Sequence, residues 1–273
     1  MTLKKKLTLT LVLMLILSSA ASCKKEVDNM ESDDYIAANA SVSETEEVTT
    51  EPQTAEPTEE PTTEPLLLPE NYDISPSYAL DVENILQKPE LPTGCEVTAL
   101  AIALNYHGFN IDKVELCDRF LPIDPNGEYT FDEKYIGNPK LDNGFGCYAP
   151  VIVETAEAYF ESVSAEWKPL NLTGTEFTEL FYQLEKGRPI VIWASMGLKD
   201  VSFELRWKTE DGDEAWFATL EHCMVLTGFD TEKGVVYAAD PLKGNMEYSL
   251  ERFQSVYDQM GKQSIVFYKE ASE

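Results

Sequence analysis

A change in composition near residue 71 sets the main limit on what this chain of 273 residues can fold into. Residues 24–70 hold few large apolar side chains and are rich in Glu, Thr and Pro, with Thr-Glu-Pro at 50–52 and again at 63–65. Such a segment cannot bury a core, so residues 23–71 are predicted to form a disordered stalk. The remaining residues, 72–273, show no second break and suffice for one domain with a proper core.

The first 22 residues are typical of a bacterial export signal, which is removed on export. Lys4 to Lys6 form a basic start, and residues 7–17 are an apolar run too short to span a membrane comfortably. The small residues that follow run into Cys23 and resemble the lipobox of bacterial lipoproteins, which implies a lipid on the Cys23 thiol. We therefore expect an exported protein, anchored to the cell membrane by this lipid on its extracytoplasmic face. An ordinary secretory signal is the alternative.

The charge of the chain limits its partners. The formal net charge is −28, and the stalk supplies only part of it, so the folded domain is itself acidic. An acidic domain is poorly suited to bind nucleic acid or to dock on anionic lipid through a basic patch. The sequence holds no metal-binding or nucleotide-binding motif, so we expect no cofactor and no metal. A peptide or protein substrate is the expected partner, and a monomer is the default state.

The five cysteines are spread along the chain without any Cys-x-x-Cys, which argues against a zinc knot. If Cys23 carries the lipid and Cys95 must stay free, three cysteines remain. At most one disulfide can form among Cys117, Cys147 and Cys223, and the sequence favours no pair.

Helical periodicity dominates the first half of the domain, and strand patterns dominate the second half. Helices are predicted at residues 95–106, 112–120, 150–160, 175–186 and 250–260. Strands are predicted at residues 189–194, 203–207, 215–218, 223–229, 235–239 and 264–268. Helices first and strands later favour an α+β domain with a mostly antiparallel sheet.

Cys95 is the candidate nucleophile. It follows a Pro-Thr-Gly turn and begins a helix, since apolar residues recur at helical spacing from Val97 onward. The first turn of a helix has unpaired N–H groups and the positive end of the helix dipole, and both favour a thiolate. The adjacent Glu96 opposes thiolate formation unless its side chain points away. A buried structural cysteine is the alternative interpretation.

His222 is the candidate base, because the only other histidine, His107, lies twelve residues beyond Cys95 on the same helix, about 18 Å away. The strands that follow His222 predict a hairpin centred near Thr231. Asp240 should then lie opposite His222 within about a residue and orient its imidazole, as in a nucleophile–base–orienter triad. A structural strand histidine and a turn-forming Asp-Pro are the alternatives.

A tetrahedral intermediate also needs hydrogen-bond donors for its oxyanion. The backbone N–H of Cys95 is one candidate by position, and the side-chain amide of Gln87, a few residues upstream, is the other. A surface glutamine is the alternative for Gln87.

Four segments together resemble the C39-like branch of the papain-fold cysteine peptidases, namely residues 87–98, 144–150, 222–230 and 240–244. The resemblance implies a papain-like α+β fold, in which an N-terminal helical part carries the nucleophile and an antiparallel sheet carries the histidine and the aspartate. It also implies Cys-His-Asp chemistry at Cys95, His222 and Asp240. The better-known relatives cut bacteriocin leader peptides after a double glycine, and this chain departs from them in its longer spacing between Gln87 and Cys95.

The sequence therefore predicts a membrane-anchored cysteine peptidase outside the cytoplasm. Two alternatives stay open. The same triad can serve an amidase or transpeptidase that acts on peptidoglycan peptides, and the same scaffold can serve as a surface binding module without turnover.

Overall fold

The computed structural model describes residues 66–269. The predicted signal peptide, the lipidation site Cys23 and most of the predicted stalk lie outside these residues. At the start of the described chain, the side-chain amide of Gln183 donates a hydrogen bond to the Leu66 carbonyl at 2.6 Å, six residues before the predicted domain start. Over residues 66–269, no helix combines the length and the apolar character needed to cross a membrane.

Four of the five helices predicted from the sequence are present with ends that differ by a few residues. The helix predicted at residues 175–186 is instead a 3₁₀ turn followed by a five-residue α-helix. The helices are α1 (Cys95–Tyr106), α2 (Lys113–Arg119), α3 (Ala149–Ser162), α4 (Phe181–Glu185) and α5 (Leu250–Gln259), with 3₁₀ turns at Phe177–Leu180 and Met196–Leu198. Helix α1 is buried from Cys95 to Leu104 because it is apolar on nearly all sides. It packs against the central sheet, and its first residue is the candidate nucleophile.

The strands are β1 (Ser77–Ala79), β2 (Ile123–Asp124), β3 (Tyr135–Ile136), β4 (Trp167–Asn171), β5 (Ile190–Ser195), β6 (Phe203–Lys208), β7 (Glu214–Ala218), β8 (Glu221–Asp230), β9 (Val235–Asp240), β10 (Gly244–Ser249) and β11 (Ser264–Lys269). The main sheet has the order β10-β9-β8-β5-β11-β4, with β1 paired to the end of β8, and all its pairings are antiparallel. The β2–β3 and β6–β7 pairs form two small separate sheets. This architecture confirms the α+β class.

The sequence missed β1 to β4 and β10. Strands β4 and β10 lie at the two edges of the main sheet, where one side of each strand has no neighbour in the sheet. Their side chains are mostly exposed or half-buried, so they lack the apolar run that marked β5 and β8. Strands β1, β2 and β3 are only two or three residues long and give no period to detect.

The β8–β9 hairpin turns where the sequence predicts, but its register differs from the expected one. Between the pairs Leu226↔Ala238 and Gly228↔Tyr237, residue Thr227 is an extra residue on β8, which is a β-bulge. In the register beyond the bulge, Asp240 falls opposite Met224, two residues from His222 rather than within one. Since side chains alternate along a strand, residues 222 and 224 share a face, and the bulge thereby brings Asp240 onto the His222 face.

Candidate active site

Cys95 lies at the start of α1, and only 6% of its surface is exposed. The turn before it is held by the Tyr135 hydroxyl, which donates to the Thr93 carbonyl at 2.5 Å, and by the Thr93 hydroxyl, which donates to the Leu141 carbonyl at 2.9 Å. The Cys95 N–H belongs to the first helical turn, where N–H groups have no acceptor within the helix. It is therefore placed to donate to a group outside the helix.

His222 and Asp240 form a buried pair. His222 Nε2 lies 2.8 Å from Asp240 Oδ1, and both side chains are almost fully buried. Because the carboxylate only accepts, Nε2 carries the proton of this bond, and Nδ1 is the ring nitrogen that can accept another. The structure thus places the Asp240 carboxylate against the imidazole of His222, and the orienting role of Asp240 stays a prediction.

Two further donors fix the Asp240 carboxylate. The Tyr248 hydroxyl donates to Oδ2 at 2.7 Å, and the Leu242 N–H donates to Oδ1 at 2.8 Å. Burial alone raises a carboxyl pKa, but the hydrogen bonds from His222, Tyr248 and Leu242, with the charge of His222, lower the pKa of Asp240 overall. Asp240 is therefore held as a carboxylate. Tyr248 was missed at the sequence level, because nothing in the pattern of an edge strand separates it from an ordinary core tyrosine.

Gln87 is buried between the nucleophile turn and the Asp240 loop. Its N–H donates to the Pro241 carbonyl at 2.8 Å, and its side-chain Nε2 donates to the Pro92 carbonyl at 2.8 Å. The buried ammonium of Lys113 donates to the carbonyls of Leu86 and Gln87 and fixes the same segment from α2. One N–H of the Gln87 amide is thus used within the loop, and Gln87 Oε1 is buried without a hydrogen-bond partner in the described residues. The oxyanion role of Gln87 stays a prediction.

The thiol of Cys95 contacts two carboxylates. Sγ lies 3.3 Å from Glu96 Oε2 and 4.0 Å from Glu221 Oε2, and within residues 66–269 it makes no hydrogen bond to His222. Burial raises the pKa of Cys95 well above its ordinary value, and the charges of Glu96 and Glu221 raise it further. The sequence-based expectation of a favoured thiolate required Glu96 to point away. In this arrangement the thiol is protonated.

The two carboxyls are themselves perturbed. Burial raises the pKa of Glu96 to about 7, although the N–H groups of Glu96 and Cys147 act in the opposite direction. Burial, and then the charge of Glu96, raise the pKa of Glu221 well above its ordinary value. Sequence reasoning missed Glu221. The available signal was its position next to His222, at the start of the predicted strand.

Gly146 makes room for the two carboxyls. It has φ +155°, and a Cβ placed on it would lie 2.5 Å from Glu96 Oε1 and 3.1 Å from Glu221 Oε2. Next to it, the Cys147 N–H donates to Glu96 Oε1 at 2.8 Å, while the Trp193 indole donates to the Cys147 carbonyl at 3.0 Å. Any larger residue at 146 would displace the carboxyls from the thiol.

Within residues 66–269, the side chains of the other cysteines and of the second histidine make no hydrogen bond to Cys95, Glu96, Glu221 or His222. Cys117, Cys147 and Cys223 are buried free thiols, so no disulfide joins any of the cysteines between residues 66 and 269. His107 follows the last residue of α1, where burial lowers its pKa to about 4 and its ring centroid lies 4.5 Å from that of Trp167. It is packed in an aromatic cluster at the opposite end of the helix from Cys95.

Comparison with known proteins gives consistent matches over this domain. The model of a family described as "Peptidase_C39 like family" matches residues 79–265. A Bacillus subtilis (strain 168) protein, "Uncharacterized protein YvpB", is 30% identical over 198 residues, which cover 68% of this chain and 73% of that protein.

A crystal structure of a C39-like protein has a fold similar to that of this chain. A Bacillus anthracis protein described as a "putative C39-like peptidase" superposes with a TM-score of 0.62 at 30% identity. The match covers 72% of this chain and 99% of that one. These likenesses confirm the papain-like α+β fold that the sequence resemblance implied.

Proposed function

We propose, from the premise that this chain belongs to the Peptidase_C39 like family, that it hydrolyses peptide bonds with Cys95 as nucleophile, His222 as base and Asp240 as orienting carboxylate. The observation that carries the proposal is the buried His222–Asp240 pair. Its 2.8 Å bond engages Nε2 and leaves Nδ1 as the proton acceptor. A histidine in this tautomer, on a strand packed against the helix that begins with Cys95, is what a thiol hydrolase requires.

The reaction begins when the thiol leaves the carboxylates. Rotation about the Cα–Cβ bond of Cys95 takes Sγ away from Glu96 and Glu221, and a bound peptide that displaces it toward His222 allows proton transfer to Nδ1. The thiolate then attacks the amide carbonyl, and His222 returns the proton to the leaving amine. Water, deprotonated by His222, cleaves the thioester and restores the thiol. Asp240 stabilises the imidazolium in both steps.

The oxyanion of each tetrahedral intermediate lies near the start of α1 in this proposal. The Cys95 N–H and the second N–H of the Gln87 amide are its donors. Gln87 is held by its own backbone bonds to the Pro241 carbonyl and from Leu91, so its position is set before substrate binds. Preorganised donors of this kind contribute about 3 kcal/mol of transition-state stabilisation each.

The site of action follows from the N-terminal sequence. We infer that the domain works outside the cytoplasm, tethered to the membrane by a lipid on Cys23. The Lys4–Lys6 start, the apolar run and the small residues before Cys23 support this inference.

Digestion of a peptide library tests the proposed activity. The full chain should cleave a reproducible set of peptide bonds in the presence of a chelator and a reductant. Cys95→Ala and His222→Ala should cleave none, while Cys117→Ala, which removes a buried thiol from α2, should cleave the same bonds as wild type. An absence of any cleavage by a folded wild-type chain would overturn the proposal and favour a binding module. Cleavage that persists in Cys95→Ala would assign the chemistry to another residue.

A further inference from the structure

Cys95, Glu96 and Glu221 bring three metal-ligating atoms together in the interior. One ligand atom from each residue lies within 4.8 Å of the other two, and all three side chains are buried. Glu96 is 0% exposed and Glu221 is 7% exposed. Neither carboxyl forms an ion pair with a Lys, Arg or His of the described chain. Buried carboxylates are ordinarily paired with a cation or bound to a metal. These two carboxyls therefore lack the positive partner that such a pair ordinarily has.

Glu221 provides a second, separate indication. Its Oε2 faces the Cys95 thiol at 4.0 Å, and its Oε1 is buried without any hydrogen-bond partner in the described residues. The two oxygens of one carboxylate are about 2.2 Å apart by covalent geometry, so the unpartnered atom lies beside the same cluster. A buried oxygen without a donor costs free energy on the order of 1–3 kcal/mol. A bound cation would remove that cost.

The distances fit a tetrahedral ion with one thiolate and two carboxylate ligands. A zinc ion with Zn–S of about 2.3 Å and Zn–O of about 2.0–2.2 Å sets its sulfur and oxygen ligands about 3.5 Å apart. The observed Sγ–Oε2 distances of 3.3 Å to Glu96 and 4.0 Å to Glu221 lie on either side of that value. Three protein ligands leave a fourth position for water.

We propose that Cys95, Glu96 and Glu221 bind a zinc-type divalent ion, which holds the Cys95 sulfur away from His222. On binding, the thiol and any protonated carboxyl release their protons to solvent. The charge of the site with metal is then −3 from the ligands and +2 from the ion, and no electron is transferred. The thiolate selects zinc over calcium or magnesium, which prefer six or more oxygen ligands.

The surroundings of the site hold the ligands in place. The Cys147 N–H donates to Glu96 Oε1 at 2.8 Å, which leaves Oε2 directed at the thiol. Gly146 offers no side chain that would fill the space. Outer hydrogen bonds of this kind orient metal ligands and typically change affinity 10-fold or more when removed. This proposal concerns metal binding and does not depend on the proposed peptidase activity, but if both hold, the metal-bound protein is inactive because its nucleophile is occupied.

Cobalt(II) is the probe, because a thiolate bound to tetrahedral Co²⁺ gives a sulfur-to-metal charge-transfer band. The full chain, freed of metal with a chelator and kept reduced, is titrated with Co²⁺ and then with Zn²⁺. We expect one Co²⁺ per chain, the charge-transfer band, and its loss as Zn²⁺ displaces the cobalt. The band should vanish in Cys95→Ser and remain in Cys117→Ser.

Two isosteric variants separate ligation from folding. Glu96→Gln and Glu221→Gln should each weaken Co²⁺ binding by at least about 100-fold, with circular dichroism like that of wild type. Glu115→Gln, an exposed residue on α2, should bind as wild type does. Absence of a 1:1 complex at 100 µM metal, or equal affinity in wild type and both Gln variants, would overturn the proposal. Peptide hydrolysis is measured separately with chelator present, so failure of one proposal is distinguishable from failure of the other.

Discussion

Asp240→Asn separates two roles of the orienting residue, its effect on the tautomer of His222 and its negative charge. From the sequence alone, an amide at 240 is expected to favour the wrong tautomer. The structure changes that expectation, because Oδ1 accepts from both His222 Nε2 and the Leu242 N–H, at 2.8 Å each. If the amide nitrogen took that position, it would face the Leu242 donor.

At the position of Asp240 Oδ2, an amide nitrogen can replace the carboxylate oxygen. Oδ2 accepts from the Tyr248 hydroxyl at 2.7 Å, and a hydroxyl can also accept a bond from an amide N–H. The Asn oxygen should therefore stay on the His222 side and preserve the Nε2–H tautomer. What the variant loses is the charge opposite the imidazolium, worth about 1–1.5 kcal/mol as the difference between charged and neutral hydrogen bonds. That difference corresponds to a kcat lower by about 5- to 13-fold.

Asp240→Ala is the contrasting variant. It removes the carboxylate that accepts hydrogen bonds from the His222 ring, the Tyr248 hydroxyl and the Leu242 N–H. Because both the orientation of His222 and the charge opposite its imidazolium are lost, kcat should fall at least about 100-fold. The cost of about 1–3 kcal/mol for each buried donor left unpaired should lower the melting temperature clearly. In Asp240→Asn the melting temperature should change little.

Two assays read the outcome. Turnover is measured on a peptide taken from the library digestion, and ¹⁵N NMR of the histidine rings reports the tautomer directly. The chain has only two histidines, and His222→Ala identifies the His222 signals. A folded Asp240→Asn that loses as much turnover as Asp240→Ala, or whose His222 carries its proton on Nδ1, would refute this account of the hydrogen bonds.

Three further predictions rest on other parts of the chain. Glu96 has a pKa of about 7 in the folded protein against an ordinary 4.5, so its ionisation lowers the stability of the folded protein as pH rises from 4.5 through 7. With chelator present, chemical denaturation should therefore show that the stability of Glu96→Gln relative to wild type increases by about 3 kcal/mol between pH 4 and pH 8. A difference in stability that does not change with pH would contradict this. A chain that begins at Leu66 should melt at the same temperature as the mature protein, because the Glu- and Thr-rich segment before it has little apolar surface to bury. A clearly lower melting temperature of the shortened chain in calorimetry would show that this segment packs on the domain. Cys23→Ser should leave the membrane fraction and carry no lipid by mass spectrometry, whereas membrane-bound protein with an unmodified Cys23 would remove the lipid anchor.

The sequence predicts the helices and the central strands because buried elements carry many apolar side chains, either at helical spacing or in a continuous run. Helix α1 and strand β8 are each buried over ten residues and rich in apolar side chains, so their ends could be placed within about two residues. The edge strands β4 and β10 lack that signal. The His222–Asp240 pairing was predictable as a hairpin, but its offset was not, because the extra residue Thr227 on β8 shifts the register next to Gly228, where β1 pairs with β8.

The surroundings of the thiol could not be read from the sequence. Glu96 was visible as a neighbour of Cys95, but the direction of its side chain is decided by the Cys147 N–H, 51 positions away in the chain. Glu221 lies 126 positions from Cys95 and reaches it only through the packing of α1 on β8. Helix position alone favours a thiolate, and burial with two carboxyls outweighs that effect in the resting arrangement.

Trapping the covalent intermediate tests most directly that Cys95 is the nucleophile of a peptidase. A peptide ester that carries a sequence cleaved in the library digestion is mixed with the chelator-treated full chain and quenched in acid within one turnover. Intact mass should show one acyl group per chain, and peptide mapping should place it on Cys95 as a thioester, with none in Cys95→Ala. Hydrolysis of the ester without any acyl group on Cys95, or with the group on another residue, would contradict the assignment.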